Sequence, residues 1–317
     1  MEGILITGGS GFLGKRLGRR LRELGHEVVL AARNNKQNFL AAEFSGCQTI
    51  AMDVSNIESV RDVFTQVRPS CVIHAAATKF VDVSEHQPME TVDVNVLGSQ
   101  NVARVAVDKG VAVVIGISTD KAAPPVRNTY GLTKALMERV FCSMNDKSAT
   151  CFLCVRYGNV AWSTASVLPA WRKDLKRTGV IGTTGPEMLR FFFTVDEAVA
   201  LVVTALDHAE ELQGRLLSRY MKAARMDEIL EVWCEQEGAR YEKIAGRPGE
   251  RHEEFLIGEQ ELAYTSTREY DGILHYVISF NEKAEPALAQ ILSAGNTERL
   301  SKQEILAVVN HPPEEEL

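Results

Sequence analysis

No run in this 317-residue sequence approaches the roughly 18 consecutive apolar residues of a membrane-spanning helix, so no membrane association is expected. Near the start, Ile4-Leu5-Ile6 is too short an apolar core for a secretory signal, and glycines follow at once. Basic blocks are also absent: 35 Lys and Arg stand against 42 Asp and Glu, a net charge of −7. That balance argues against a nucleic-acid binder, which needs a positive surface, but leaves room for a small anion held by two or three arginines. The six cysteines are scattered, and Cys151-x-x-Cys154 lies inside a strand-like apolar run without a second pair. Such thiols read as buried and structural. Seven histidines show no metal-ligand spacing, and no metal is expected. These absences describe a reduced, cytoplasmic chain.

What is present is an ordinary globular balance, 45% hydrophobic and 24% charged. At roughly 150 residues per domain, the length predicts about two folding units. Short apolar or β-branched runs (4–7, 28–32, 49–52, 71–75, 111–117 and 150–155) alternate with amphipathic helical patterns. In the first of these, Phe12, Leu13, Leu17, Leu21 and Leu24 recur opposite a basic, solvated face. This alternation predicts an α/β fold, a Rossmann-type doubly wound parallel sheet. Residues 1–158, completed by 191–212, form the predicted dinucleotide-binding unit. Residues 159–190, rich in glycine and proline and read as irregular, join 213–317 in a smaller, insertion-built substrate unit.

Thr7-Gly8-Gly9-Ser10-Gly11-Phe12-Leu13-Gly14 lies between the first strand and the first helix, satisfying both GxGxxG and GxxGxxG. Glycine suits a turn with unusual backbone angles whose main chain must approach a pyrophosphate. The helix N-terminus beyond it offers free N–H groups and partial positive charge. At the end of the second strand, where an acidic residue would bond the ribose of NAD, stands Arg33, which suits the 2′-phosphate of NADP. NADP is therefore expected, with NAD the lesser choice. Asp53, ending the third strand, suits the adenine amine. Tyr130-Gly131-Leu132-Thr133-Lys134 is YxxxK at a helix start, with both side chains on one face. An ammonium beside a phenol favours phenolate, which makes the pair a candidate general acid/base. Lys79, just after the fourth strand, is a further pocket candidate.

The turn, His74-Ala75-Ala76-Ala77, Asn95-Val96-Leu97-Gly98 and YxxxK together resemble the extended short-chain dehydrogenases/reductases. Ser118-Thr119-Asp120-Lys121-Ala122, Arg156-Tyr157-Gly158-Asn159-Val160, Met188-Leu189-Arg190-Phe191 and Arg247-Pro248-Gly249-Glu250 narrow the resemblance to UDP-N-acetylglucosamine 4,6-dehydratases of inverting type. The resemblance implies a homo-oligomer acting on a nucleotide sugar. It implies that Gly8, Gly11, Phe12, Leu13, Gly14, Val54, Ala75, Ala76, Ala77 and Asn95 contact the dinucleotide. Thr119 would bond the sugar at C4 and Tyr130 would take the C4 hydroxyl proton. Lys134 would hold the nicotinamide ribose and depress the tyrosine pKa. Asp120 and Lys121 would eliminate water across C5 and C6, and Asn159, Arg190, Arg247 and Glu250 would hold the nucleotide diphosphate. A 4-epimerase or 4-ketoreductase would need Thr119, Tyr130 and Lys134 without the Asp120-Lys121 pair; a catalytically silent NADP sensor or scaffold would need none of them. After Val160 the family has a glycine-rich stretch, whereas Ala161-Trp162-Ser163 stands here, which predicts a reshaped sugar pocket.

Overall fold

The structure is a computed structural model that describes residues 3–164 and 166–313. Six strands, β1 (Ile4–Thr7), β2 (Val28–Ala32), β3 (Gln48–Ala51), β4 (Cys71–His74), β5 (Val113–Ile117) and β6 (Cys151–Val155), form the parallel part of the central sheet. Their order is β3-β2-β1-β4-β5-β6. Connections run outward in both directions from the β1/β4 pair, so a crevice opens there at the strands' carboxyl ends. The strands read as continuous apolar runs because both faces are covered. Ile4 and Ile6 belong to the core beneath α1 (Phe12–Glu23), while Leu5 belongs to the core on the opposite face. Val72, Val114 and Phe152 share that second core. Full burial of each such side chain contributes roughly 1.5–3 kcal/mol.

The other helices of this half are α2 (Asn35–Ser45), α3 (Ile57–Val67), α4 (Val81–His86), α5 (Pro88–Val92), α6 (Gly98–Asp108) and α7 (Thr129–Ser143). A π-helical turn, Asp93–Leu97, joins α5 to α6. The sequence pattern did not reveal α2, since its apolar residues form no inward stripe: Phe39 and Leu40 are exposed. The helix rests instead on its ends, Asn34 capping the Gln37 N–H and Gly46 closing it in the left-handed region.

Two differences from the sequence reading follow from end signals and sheet edges. Within 159–190, read as irregular, Val167–Thr178 is a helix, followed by strands Val180–Thr183 and Leu189–Phe193. Pro169 sits in its first turn, where no N–H partner is lost, and Gly179 is its left-handed stop. The residues that read as breakers mark the helix's two ends. The central sheet also continues beyond β6 through Leu216–Arg219, then Ile273–Ile278 and Thr265–Tyr270. Segments assigned to the second unit thus complete the first unit's sheet.

A third core packs Trp162, Trp171 and Trp233 with Ile229 and Leu230. Trp162, expected to reshape the pocket, does not line the crevice. Its φ of +61° turns it away from the cleft, its indole Nε1 donates to the Val308 carbonyl at 2.6 Å, and its ring meets Trp233. Cys151 and Cys154, three apart on one strand, face opposite cores, and both are free thiols. No described helix is long and apolar enough to cross a membrane.

Candidate active site

A cleft of about 660 Å³ opens at the β1/β4 crevice and extends toward the second unit. Its floor is the turn after β1. Gly8 has φ +66°, and a Cβ there would lie 2.7 Å from the Ala76 nitrogen, so only glycine brings this turn against the chain leaving β4. Gly11, Phe12, Leu13 and Gly14 line one side, and Ala75, Ala76 and Ala77 the other. Val54 and Arg33 lie at the far end, Arg33 exposed beside the helix-capping Asn34.

Asp53 and Asn95 hold this floor from outside the lining. The Asp53 carboxylate accepts from the Ser55 N–H and hydroxyl at 3.0 and 2.7 Å, shaping the turn that presents Val54. Asn95, fully buried, accepts from the Thr78 N–H and donates to the Thr78 carbonyl and Thr133 Oγ1, tying the loop after β4 to α7. Behind it, Ser99 donates to the Asn95 carbonyl at 2.6 Å, so His74 Nε2 donates to Ser99 and Nδ1 accepts from Thr7. Burial, with the Lys134 charge acting the same way, pushes His74 down to about 3 and keeps it neutral.

The reactive groups meet where β5 ends. Thr119 caps a single 3₁₀ turn, Asp120–Ala122, its hydroxyl donating to Asp120 Oδ1 at 3.0 Å. Tyr130 stands in the first turn of α7, capped by Asn128. A Cβ on Gly131 would collide with the Lys121 carbonyl oxygen, so this glycine lets α7 close on the 3₁₀ turn and sets Tyr130 beside it. Lys121 Nζ donates to Asp120 Oδ1 at 3.0 Å and to Asn159 Oδ1 at 3.2 Å. Burial alone would lower Lys121; the carboxylates of Asp120 and Glu254 outweigh it and hold the ammonium above the ordinary lysine value. Tyr130 is pushed up to about 12 by burial, against the pull of Lys121 and a hydrogen bond with Thr119. The cation acting on the phenol is therefore Lys121 rather than Lys134. Lys134, buried one helical turn on, is itself pushed down to about 8.

Of the residues expected at the substrate end, Lys79, Asn159, Arg190, Arg247 and Glu250 all line the cleft. They differ in freedom. Arg247 is exposed at the rim, while Lys79 Nζ reaches the Thr164 carbonyl at 2.9 Å. Glu250 accepts from Thr184 Oγ1 and the Arg247 N–H. Arg190 is a clamp: its guanidinium donates to the carbonyls of Leu189, Arg251 and His252 at 2.8 to 3.2 Å, pinning the 251–252 chain to the strand before it.

Two groups escaped the sequence reading. Glu254 lines the cleft at 2% exposure, its Oε1 3.7 Å from Lys121 Nζ. Beneath the site, Arg156 is wholly buried between Glu138 and Glu261, with four hydrogen bonds of 2.7 to 3.0 Å to the two carboxylates. Ser118, which lines the cleft, donates to Glu138 at 2.5 Å. Glu138 follows Tyr130 and Lys134 at spacings of four, which was the available signal: three polar residues along one face of a helix that must pack on a sheet.

Comparison with known proteins gives this geometry relatives. The profile of a family described as polysaccharide biosynthesis protein matches residues 4–275. The chain is 35% identical to an uncharacterized membrane protein of Methanocaldococcus jannaschii, covering 82% of this chain and 81% of that one. It is 31% identical to a UDP-glucose 4-epimerase of Rickettsia conorii, over 95% of this chain and 93% of the relative. Among solved structures, Pen from Bacillus thuringiensis superimposes with a TM-score of 0.88 at 28% identity, covering 97% and 96% of the two chains. A UDP-glucose 4-epimerase of Thermus thermophilus, solved with NAD, shares the fold at a TM-score of 0.69 and 22% identity, over 80% and 89%. A Rossmann-type sheet, a glycine turn at its switch point and a match across most of the length agree: the chain belongs to the family of polysaccharide biosynthesis proteins.

Proposed function

We propose that this protein is a nicotinamide-dinucleotide-dependent 4,6-dehydratase of a UDP-N-acetylhexosamine, UDP-N-acetylglucosamine first among them. The observation that carries the reading is Lys121, a second proton-transfer group on the cleft wall that holds Thr119 and Tyr130. Redox chemistry at C4 needs only the tyrosine; a second group beside it serves the elimination that the 4-ketone makes possible by acidifying C5.

The cleft fits a dinucleotide: the glycine turn lines it at the start of α1, where free N–H groups suit a pyrophosphate, and the same lining includes Arg33, Tyr130 and Lys134. When bound, the cofactor accepts hydride from the sugar C4 and supplies it again at C6. Thr119 orients the C4 hydroxyl and Tyr130 removes its proton. Lys121, with a carboxylate partner, serves the elimination of water, and Arg247 at the rim meets the diphosphate. A homo-oligomer belongs to this reading, supported by the exposed apolar side chains Met89, Val92 and Leu97 beside Leu132 and Leu136 on α7.

A specific observation favours a second reading, 4-epimerisation: the 31%-identical Rickettsia relative carries that name over almost its whole length. Product mass separates the two. Incubation with UDP-N-acetylglucosamine is expected to yield a sugar lighter by one water with no net cofactor reduction, and Lys121→Met is expected to stop at the 4-keto sugar. An unchanged mass with an altered sugar proton spectrum would replace the dehydratase by the epimerase.

Arg33 decides the cofactor. Charge-assisted bonds to a 2′-phosphate are worth roughly 1.5–3 kcal/mol, so Arg33→Ser is expected to weaken NADP binding by about 10- to 150-fold and leave NAD binding unaltered in calorimetric titrations. Equal, small effects on both would make NAD the cofactor.

A further inference from the structure

The resemblance pairs Lys121 with Asp120 as the acid and base of elimination, yet the two carboxyls near Lys121 are placed very differently. Asp120 has no exposed surface and is absent from the cleft lining. Its Oδ1 is occupied by Thr119 Oγ1 and Lys121 Nζ, each at 3.0 Å. A Cβ on Gly158 would approach Oδ2 to 3.3 Å, so that oxygen lies against this glycine. Glu254 lines the cleft on the far side of the same ammonium. Its Oε2, like Asp120 Oδ2, is buried without a hydrogen-bond partner among the described residues, and it lies 3.9 Å from the Arg251 guanidinium. It is also rigidly mounted, because Arg190 clamps the carbonyls of Arg251 and His252 while the Glu254 carbonyl accepts from the Ala294 N–H at 2.9 Å.

We propose that Glu254 is the base that removes the C5 proton and Lys121 the acid that protonates the departing hydroxyl, with Asp120 a positioning residue behind Lys121. The assignment rests on the dehydratase reading. The Glu254 carboxylate takes the C5 proton, the C–H electron pair becomes the C5–C6 double bond conjugated to the 4-ketone, and the C6–O bond breaks. Lys121 gives its proton to the leaving hydroxyl and water departs. The proton on Glu254 exchanges with solvent before Glu254 protonates C5, as hydride is restored at C6. The proton that Tyr130 took from the C4 hydroxyl then recharges Lys121, closing the balance.

The surrounding charges suit these roles. Burial pushes the Glu254 carboxyl above the usual carboxylate range, against the pull of Lys121, Arg190 and Arg251, while Asp120 acts in the same direction as burial; the ionised form is a stronger base than a solvated glutamate. Lys121 is held as an ammonium, the form that donates.

The test uses the intact protein in D2O with UDP-N-acetylglucosamine, reading product mass, deuterium at C5 and absorbance of reduced nicotinamide. The wild type is expected to release a dehydrated product carrying solvent deuterium at C5. Glu254→Gln is expected to oxidise C4, build up reduced cofactor, incorporate no deuterium at C5 and lose water at least a hundredfold more slowly. Its C4 oxidation reports a folded site, and Glu254→Asp restores part of the exchange. Asp120→Asn is expected to keep the deuterium at C5 while slowing turnover. A Glu254→Gln enzyme that dehydrates within threefold of wild type overturns this assignment alone. A wild type that removes no water from the sugar overturns the dehydratase reading, and this assignment with it.

Discussion

Replacing Arg156 by methionine is expected to cost about 3–5 kcal/mol of folding free energy, the largest stability loss from a single substitution near the site. The guanidinium has no exposed surface and sits between two carboxylates that are themselves nearly inaccessible. Burial alone would make the arginine easier to deprotonate, yet Glu138 and Glu261 reverse that and hold it firmly charged. Removing it strands two negative charges where water cannot reach them. The deficit is read from urea unfolding. The triple change Arg156→Met, Glu138→Gln, Glu261→Gln should recover most of it, since neutral groups of similar shape remove the stranded charge. A loss below about 1 kcal/mol for Arg156→Met would mean that the triad does not tie the turn holding Glu261 to α7 energetically.

That triad marks the limit of what the residues alone disclosed. The parallel sheet was legible because burial on both faces leaves little but apolar residues in β1, β4, β5 and β6, and the glycine turn because only glycine tolerates its geometry. Thr119, Lys121, Tyr130 and Lys134 could be read because three short segments close in sequence, the end of β5, a 3₁₀ turn and the start of α7, bring them together. Glu254 and Arg156 could not. Glu254 meets Lys121, and Arg156 meets Glu261, across more than a hundred residues, and a charged residue in a sequence does not reveal whether it will lie in water or inside. Arg190 shows the converse: a motif arginine suited to a diphosphate spends its guanidinium on backbone carbonyls. Trp162 shows how one positive φ redirects a bulky side chain from the site to a core.

The same neighbourhood sets the largest expected effect on turnover. Tyr130→Phe is expected to lower the rate of C4 oxidation by about 10²–10⁴-fold while leaving dinucleotide affinity within a few-fold, because it removes the proposed general base and little else. The pH dependence distinguishes this from a packing defect. With the phenol pushed up to about 12, only a small fraction is phenolate at neutral pH, so the wild-type rate should rise about tenfold per pH unit on the acid side of its apparent pKa. The phenylalanine variant has no such group and its residual rate should be flat over that range. Lys121 opposes the rise of the tyrosine pKa, so Lys121→Met should move the wild-type limb to higher pH even for C4 oxidation alone, a step in which Lys121 takes no proton. Lys134→Met, by contrast, should weaken cofactor binding and leave the limb in place, because the Lys134 charge is not among the influences on the phenol. A limb that moves with Lys134 and not with Lys121 would return the tuning of the tyrosine to the YxxxK pair.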